Sequence, residues 1–184
     1  MTFSVTASAA GLHSLTAGKG TYKSMARDFL RHHNQARVGF SEPPLVWDRS
    51  LARYARRHAG RRKLDCGMVH SMGPYGENIF WGTGWEWTAS DAVATWVNEH
   101  RFYNVTDNTC APRETCGHYT QVVWKDSLRV GCARVECLNG GVFVSCNYDP
   151  PGNWVGESPF GVGVVAVAAT AVQGRLVSGP GRLG

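Results

Sequence analysis

The sequence predicts a single α+β domain that is held together by disulfide bonds. Three amphipathic helical segments precede two adjacent strand-like runs, and this separation of helices from strands is typical of α+β folds. Six cysteines, an even number, lie between residues 66 and 146. The chain has 184 residues, of which 43% are hydrophobic, so it is long enough for one domain with a substantial core.

The first two helices are identified by apolar residues that recur at spacings of three and four. The first runs from Ser24 to Gly39, and the second begins after Asp48, whose side chain suits the N-cap position. We interpret the cations on the outer face and at the end of the second helix as a solvated surface. A nucleic-acid site would place aromatic residues among them, whereas Tyr54 belongs to the inward-facing stripe, so no nucleic-acid partner is expected. These cations are Arg49, Arg53, Arg56, Arg57, Arg61, Arg62 and Lys63.

The third helix is expected over residues 88–102, with Thr88 or Ser90 as its cap. Its buried stripe is expected to extend to His100. Before this helix, residues 66–87 contain five glycines and a proline, so we expect that stretch to be mostly loop.

A short helix near 117–123 is expected to precede a β-hairpin. The two strands are expected over Arg129–Cys137 and Gly141–Tyr148. Asn139-Gly140 between them is a strong signal for a tight hairpin turn.

The hairpin constrains the disulfide pairing. Cys132 and Cys146 lie nearly opposite each other about the turn and can bond between the strands. Cys137 is an odd number of residues from Cys132, so it projects from the other face and needs a distant partner. Two further cysteines enclose a short loop and can pair locally, which leaves one partner for Cys137. The expected bonds are Cys66–Cys137, Cys110–Cys116 and Cys132–Cys146.

The cysteines and the chain ends indicate compartment and domain limits. No pair of cysteines has C-x-x-C spacing, so disulfides are favoured over a zinc or redox site, and disulfides imply an oxidising compartment. Residues 1–21 are rich in small and polar residues and lack the basic and apolar regions of a signal peptide. We expect a disordered segment over 1–21, one domain over 22–160 and an extension over 161–184.

Four side chains are candidates for a functional site. His70 and Glu77 lie in the predicted loop, Glu99 follows Trp96 by one turn, and His118 opens the short helix. If they converge, the two imidazoles and two carboxylates could bind a divalent cation such as zinc, with His70 and His118 as ligands. They could equally form a hydrogen-bonded set in which each histidine donates to a glutamate.

Catalytic motifs are absent from the sequence. It contains no H-E-x-x-H, no G-x-S-x-G and no P-loop or dinucleotide glycine pattern. Since all six cysteines are expected to pair, a cysteine nucleophile is not expected either. Metal-dependent hydrolysis by the two histidines and two glutamates is the alternative, but no spacing demands it. We therefore expect a protein that is not an enzyme and requires no cofactor.

Two long motifs resemble the signatures of the CAP superfamily, which includes cysteine-rich secretory proteins, antigen 5 and plant pathogenesis-related class 1 proteins. The first is GHYTQVVWKDSLRVGC at 117–132, and the second is VFVSCNYDPPGNW at 142–154. PYGEN at 74–78 and WVNE at 96–99 resemble the plant branch in detail. The resemblance covers about residues 22–160.

This resemblance implies a fold and a site. The fold is an α-β-α sandwich, in which a three-stranded antiparallel sheet lies between helix layers beside a large open cleft. The resemblance further implies that His70, Glu77, Glu99 and His118 form the tetrad of that cleft. It also implies the disulfide pairing that the hairpin predicts.

The resemblance also implies a role in plant defence. Family members are secreted, are reported to inhibit fungi or oomycetes, and bind sterols or other lipids. We therefore expect a monomeric, antifungal protein of the apoplast, with the vacuole as the alternative location. Its expected partners are sterols or other lipids, pathogen membranes or cell-wall components; the net charge of +5 favours acidic partners.

Asn104 begins an N-glycosylation sequon, which should be occupied if the chain is exported.

A further alternative is that the domain is the precursor of a signalling peptide. The segment Cys146-Asn147-Tyr148-Asp149, followed by Pro150, resembles the site at which plant members release a C-terminal defence peptide. The 24 residues after position 160 depart from the family pattern, because typical members end there. This extension counts against the precursor hypothesis.

Overall fold

The computed structural model describes residues 22–161. Residues 1–21 and 162–184 lie outside the described residues, and with them the predicted disordered segment and nearly all of the predicted extension. In chain order the elements are α1 (Tyr22–Val38), β1 (Val46–Trp47), α2 (Arg49–Arg62), β2 (Gly76–Thr83), α3 (Ala89–Val97), a 3₁₀-helix (Asn98–Phe102), β3 (Tyr103–Asn104), β4 (Thr109–Cys110), α4 (Gly117–Val122), β5 (Arg129–Glu136) and β6 (Gly141–Asp149).

The main sheet has the strand order β1-β5-β6-β2. The strands β5, β6 and β2 are antiparallel and form the predicted three-stranded sheet. The two-residue strand β1 adds a fourth, parallel strand at the edge, where Val46 pairs with Arg129. The predicted α+β fold is confirmed, with this short strand as an addition.

Residues 66–87 are mostly loop, as expected, but eight of these 22 residues form the strand β2, which the sequence did not indicate. Gly76–Thr83 pairs with β6 along its whole length. The glycines of this strand do not form turns. They allow neighbouring side chains to pack closely against the strand backbone. A Cβ at Gly82 would lie 2.3 Å from Nε1 of Trp87, and one at Gly76 would lie 2.2 Å from Oε1 of Gln121.

Helices cover both faces of the sheet and form two separate cores. On one face, α2 contributes Ala55 and Ala59, which pack with Ile79 and Phe143 of the sheet. On the other face, α1, α3 and α4 pack against the alternate residues of the same strands. This is the sandwich that the family resemblance implies. The larger core contains Phe29, Val93, Trp96, Val122, Val130, Val144 and Tyr148.

Two helix ends agree with the predicted caps, and one helix is shorter than predicted. The Asp48 side chain accepts hydrogen bonds from the first turn of α2, and Thr88 forms a capping box with Asp91 at the start of α3. After Val97 the chain continues as a 3₁₀-helix. The tighter 3₁₀ turn ends the α-helical stripe, so His100 is exposed and the prediction that it is buried is wrong.

The disulfide bonds are Cys66–Cys137, Cys110–Cys116 and Cys132–Cys146, as expected from the hairpin. Cys132 and Cys146 are directly opposed in the β5–β6 register. The Cys66–Cys137 bond lies on the α2 face, where it joins the segment after α2 to the hairpin. Within residues 22–161, no helix is long and apolar enough to cross a membrane.

Candidate functional site

The first pair of the tetrad is formed by His70 and Glu77. Glu77 lies on β2, and His70 lies in the loop between α2 and β2. Nδ1 of His70 donates to Oε1 of Glu77 at 2.8 Å. The same oxygen accepts the backbone N–H of Ser71, and Oε2 accepts Nδ2 of Asn147 at 3.1 Å.

These hydrogen bonds set the protonation of the first pair. Burial raises the pKa of the Glu77 carboxyl, whose side chain is 6% exposed, but the hydrogen bonds outweigh this effect and lower the pKa to about 2. The hydrogen bond to Glu77 raises the pKa of His70, whose side chain is 51% exposed. Glu77 is therefore a fully ionised, buried acceptor at mildly acidic pH.

The second pair is formed by Glu99 and His118. Glu99 lies in the 3₁₀-helix, and His118 is the second residue of α4. Nδ1 of His118 donates to Oε1 of Glu99 at 2.6 Å. Oε2 of Glu99 accepts the backbone N–H groups of His118 and Tyr119 at 3.0 and 3.1 Å. The His118 ring also stacks on Trp96 with an interplanar angle of 15°.

A buried hydrogen-bond network that sequence reasoning missed connects to the second pair. Asn78, the residue after Glu77, donates to the carbonyl of His118 at 2.9 Å and to the hydroxyl of Tyr148 at 3.2 Å. That hydroxyl lies 2.8 Å from Nε2 of His33, whose Nδ1 donates to a helix carbonyl. Burial lowers the pKa of His33 to about 4. The ring is therefore neutral at physiological pH and accepts the Tyr148 proton through Nε2. Asn78 directly follows Glu77 in the PYGEN motif and is buried. An asparagine at a buried strand position needs hydrogen-bond partners, and this is the sequence signal that could have revealed the network.

The tetrad is held as two separate His–Glu pairs that β2 connects. Successive strand residues point to opposite faces: Glu77 bonds to His70 and Asn147, whereas Asn78 bonds to the backbone carbonyl of His118. Within residues 22–161, the tetrad does not bring three metal-ligand atoms within 4.8 Å of one another. The group that meets this distance is His33 with Cys132 and Cys146, and these cysteines are bonded to each other.

The donor chemistry of the tetrad fits a divalent cation only in part. All four carboxylate oxygens of the two glutamates accept hydrogen bonds from the protein. The Nε2 atoms of His70 and His118 have no hydrogen-bond partner among the described residues, and histidine ligands are commonly held by a carboxylate at the other ring nitrogen. The tetrad therefore offers a metal two imidazoles.

The other predicted site residues lie away from the tetrad or inside the sheet. Cys146, Asn147 and Tyr148 of the predicted peptide-release segment are buried in the central strand β6, whereas Asp149, the last residue of that strand, is half-buried and Pro150 is exposed. Asn104 is exposed at the end of β3. Peptide release and glycosylation remain predictions.

Comparisons with known proteins agree with the fold and the motifs. Residues 30–148 match the cysteine-rich secretory protein family, CAP. Pathogenesis-related protein 1C of Nicotiana tabacum is 55% identical over 134 residues, which cover 73% of this chain and 80% of that protein. Pathogenesis-related protein PR-1 of Medicago truncatula is 51% identical over 139 residues, which cover 75% of this chain and 80% of that protein.

Solved structures show the same fold. Na-ASP-1 superposes with a TM-score of 0.66 at 25% identity, covering 82% of this chain and 44% of that chain, so this chain spans less than half the length of Na-ASP-1. NaASP2, solved with Zn²⁺, superposes with a TM-score of 0.61 at 22% identity, covering 78% and 88%. The plant relatives carry the names of pathogenesis-related proteins and not of enzymes, which supports a role in plant defence and agrees with a non-enzymatic function. The chain belongs to the cysteine-rich secretory protein (CAP) family, within its plant pathogenesis-related protein 1 branch.

Proposed function

We propose that this protein is a secreted, antimicrobial defence protein of the apoplast that acts by binding sterol or another lipid. The relationship to pathogenesis-related protein 1 supports the defence role. Three disulfide bonds and the exposed sequon at Asn104 suit an oxidising, extracellular location.

The observation that carries the lipid-binding proposal is an exposed aromatic surface formed by Trp85 and Trp87, here called the tryptophan surface. Their exposed fractions are 53% and 36%. Arg134 donates to the backbone carbonyls of both residues at 2.6 and 2.7 Å, and the Trp87 ring packs edge-on against Phe80 at 5.2 Å. Arg134 therefore fixes the backbone of both residues and Phe80 holds the Trp87 ring, and the exposed indole area suits contact with the flat rings of a sterol.

Binding of a radiolabelled sterol to purified protein tests this proposal. We expect Trp85→Ser to weaken binding about tenfold, because half of a large apolar side chain is lost from the contact. The matched control is Trp154→Ser, since Trp154 is 58% exposed and lies outside the tryptophan surface. Equal losses in the two variants, or no sterol binding by the wild type, would contradict the proposal.

Binding of a divalent cation by the tetrad is the second candidate role, favoured by the two Nε2 atoms that have no partner among the described residues. Since no three ligand atoms of the tetrad lie within 4.8 Å of one another in residues 22–161, we expect zinc binding weaker than millimolar in calorimetric titration. Any affinity should fall on acidification, because zinc requires neutral imidazoles. Since Glu77 raises the pKa of His70, this fall should begin above the ordinary histidine value of 6.5.

The variant His118→Ala separates a metal site from a hydrogen-bonded set. If the set is structural, we expect His118→Ala to lower the free energy of unfolding by about 1–3 kcal/mol, with or without zinc, because Glu99 loses a partner. Sterol binding should be unchanged. Tight zinc binding that disappears in this variant would instead favour the metal site and reopen the metal-dependent hydrolase alternative.

A further inference from the structure

The net positive charge of the protein is concentrated in one segment. Residues 49–72 contain seven of the 19 basic residues and one of the 14 acidic residues, a net charge of +6. The other 160 residues therefore carry a net charge of −1. The single acidic residue, Asp65, lies 3.7 Å from Arg62. The segment is thus a cationic surface on a chain that is otherwise close to neutral.

Three of these cations form a row along the outside of α2. Arg53, Arg57 and Arg61 are all exposed and follow one another at four-residue spacing, which aligns them on one side of a helix. The Arg57 guanidinium lies 5.6 Å from the centre of the Tyr54 ring. The row can contact several anionic groups on one flat partner.

Exposed apolar side chains lie beside this row. Leu64, Met68, Val69 and Met72 are 71%, 51%, 51% and 89% exposed. This is an unusual concentration of large apolar side chains within nine residues, and such patches mark interaction sites.

Met68, Val69 and Met72 lie in the loop that follows α2. Hydrogen bonds hold this loop against the side of α2 that carries Arg57. The His58 ring donates to the carbonyl of Val69 at 2.8 Å. The Tyr54 hydroxyl donates to Ser71 at 3.2 Å, and Tyr54 is the residue that Arg57 covers. The arginine row and the apolar loop therefore form one surface, here called the α2 surface.

We propose that the α2 surface docks the protein onto an anionic phospholipid bilayer. Arg53, Arg57 and Arg61 bind lipid phosphate and carboxylate groups, while Met68 and Met72 enter the boundary between headgroups and acyl chains. An acidic polysaccharide or a nucleic acid could neutralise the arginines but would leave the apolar loop in water. A bilayer provides anionic headgroups for the arginine row and an apolar region for the methionines. This docking does not depend on sterol binding by the tryptophan surface.

Co-sedimentation of the full chain with sterol-free vesicles tests the proposal. We expect binding to phosphatidylcholine vesicles that contain phosphatidylserine, weaker binding to phosphatidylcholine alone, and a decrease as salt is raised. The triple variant Arg53→Gln, Arg57→Gln, Arg61→Gln should bind about 100-fold more weakly. The double variant Met68→Ser, Met72→Asn should lose about tenfold. Asparagine is chosen at position 72 because the backbone φ there is +54°.

The matched control is Arg27→Gln, Arg101→Gln, Arg113→Gln, which removes the same charge from exposed positions elsewhere. It should bind vesicles nearly as well as the wild type, and all variants should keep the wild-type unfolding temperature. An equal loss in this control would overturn the proposal, since net charge alone would then explain binding. Vesicle binding that is unaffected by the methionine changes would overturn the insertion step. Binding to polygalacturonate but not to vesicles would overturn the choice of a bilayer.

Discussion

Replacing Arg37 with methionine is expected to lower the free energy of unfolding by about 3–5 kcal/mol. Arg37 lies at the end of α1 and is fully buried. Its three guanidinium nitrogens donate to five backbone carbonyls. Burial lowers the pKa of the guanidinium, and these carbonyl oxygens stabilise the charge in place of water. The carbonyls belong to Pro43, Val122, Trp124, Lys125 and Ser127.

The effect should be large because the buried carbonyls would lose their charged donor, although the Trp124 carbonyl also accepts the backbone N–H of Ser127 at 3.1 Å. Methionine keeps the apolar stem of the side chain but supplies no hydrogen-bond donor, so the cost comes from the lost hydrogen bonds and not from a cavity. Urea unfolding followed by tryptophan fluorescence measures the change. Arg31→Met is the control on the same helix; since Arg31 is exposed, its effect should stay within about 0.5 kcal/mol. Similar small effects in both variants would show that the carbonyl cluster does not need Arg37.

Removal of the Cys66–Cys137 bond is expected to destabilise the domain more than removal of either other disulfide. This bond closes a loop of 71 residues, whereas Cys110–Cys116 closes one of six. On the chain-entropy account, losing the longer loop constraint costs about 4 kcal/mol and losing the shorter one costs about 2 kcal/mol. The Cys66–Cys137 bond also lies in the core beneath α2, in the same buried cluster as Ala59 and Phe143.

Paired replacements of both cysteines by alanine measure these costs without leaving a free thiol. The free energy of unfolding of each double variant is compared with that of the wild type under non-reducing conditions. The Cys110/Cys116 variant is the control, because its loss should be the smaller one. The reverse order would mean that the denatured chain remains compact without the long-range bond, and that loop length does not govern these stabilities.

Local sequence signals predicted the helices, the hairpin and the disulfides. Asp48 and Thr88 cap their helices because each side chain bonds to backbone groups two or three residues away. The Asn139-Gly140 turn sets the register of β5 and β6, and that register places Cys132 opposite Cys146. The odd spacing to Cys137 then places that cysteine on the α2 face. Each of these predictions depends only on residues close together in the chain or on the two-residue period of a strand. Both can be taken directly from the sequence.

The tertiary structure alone decided how the tetrad is arranged. The four residues were identified from the sequence, but their arrangement as two His–Glu pairs depends on β2 being a strand, which sets Glu77 beside Asn147 and Asn78 beside the carbonyl of His118. That strand exists because β6, whose paired residues lie 58 to 72 positions away, supplies its hydrogen bonds, whereas its own glycines favour a loop.

Arg37 and Asn78 show the same limit. Arg37 follows Phe29 and His33 at four-residue spacing on α1 and so continues the buried stripe. From the sequence alone, however, an arginine is expected to be exposed. Its carbonyl partners lie mainly 85 to 90 residues away along the chain. Asn78 is likewise defined by partners 40 and 70 residues away. The sequence by itself determined the positions of the main helices, the β5–β6 hairpin, the cysteine pairing and the family. The tertiary structure decided which distant carbonyls and hydroxyls surround each buried polar group, because those partners are set by the packing of elements that are far apart in the chain.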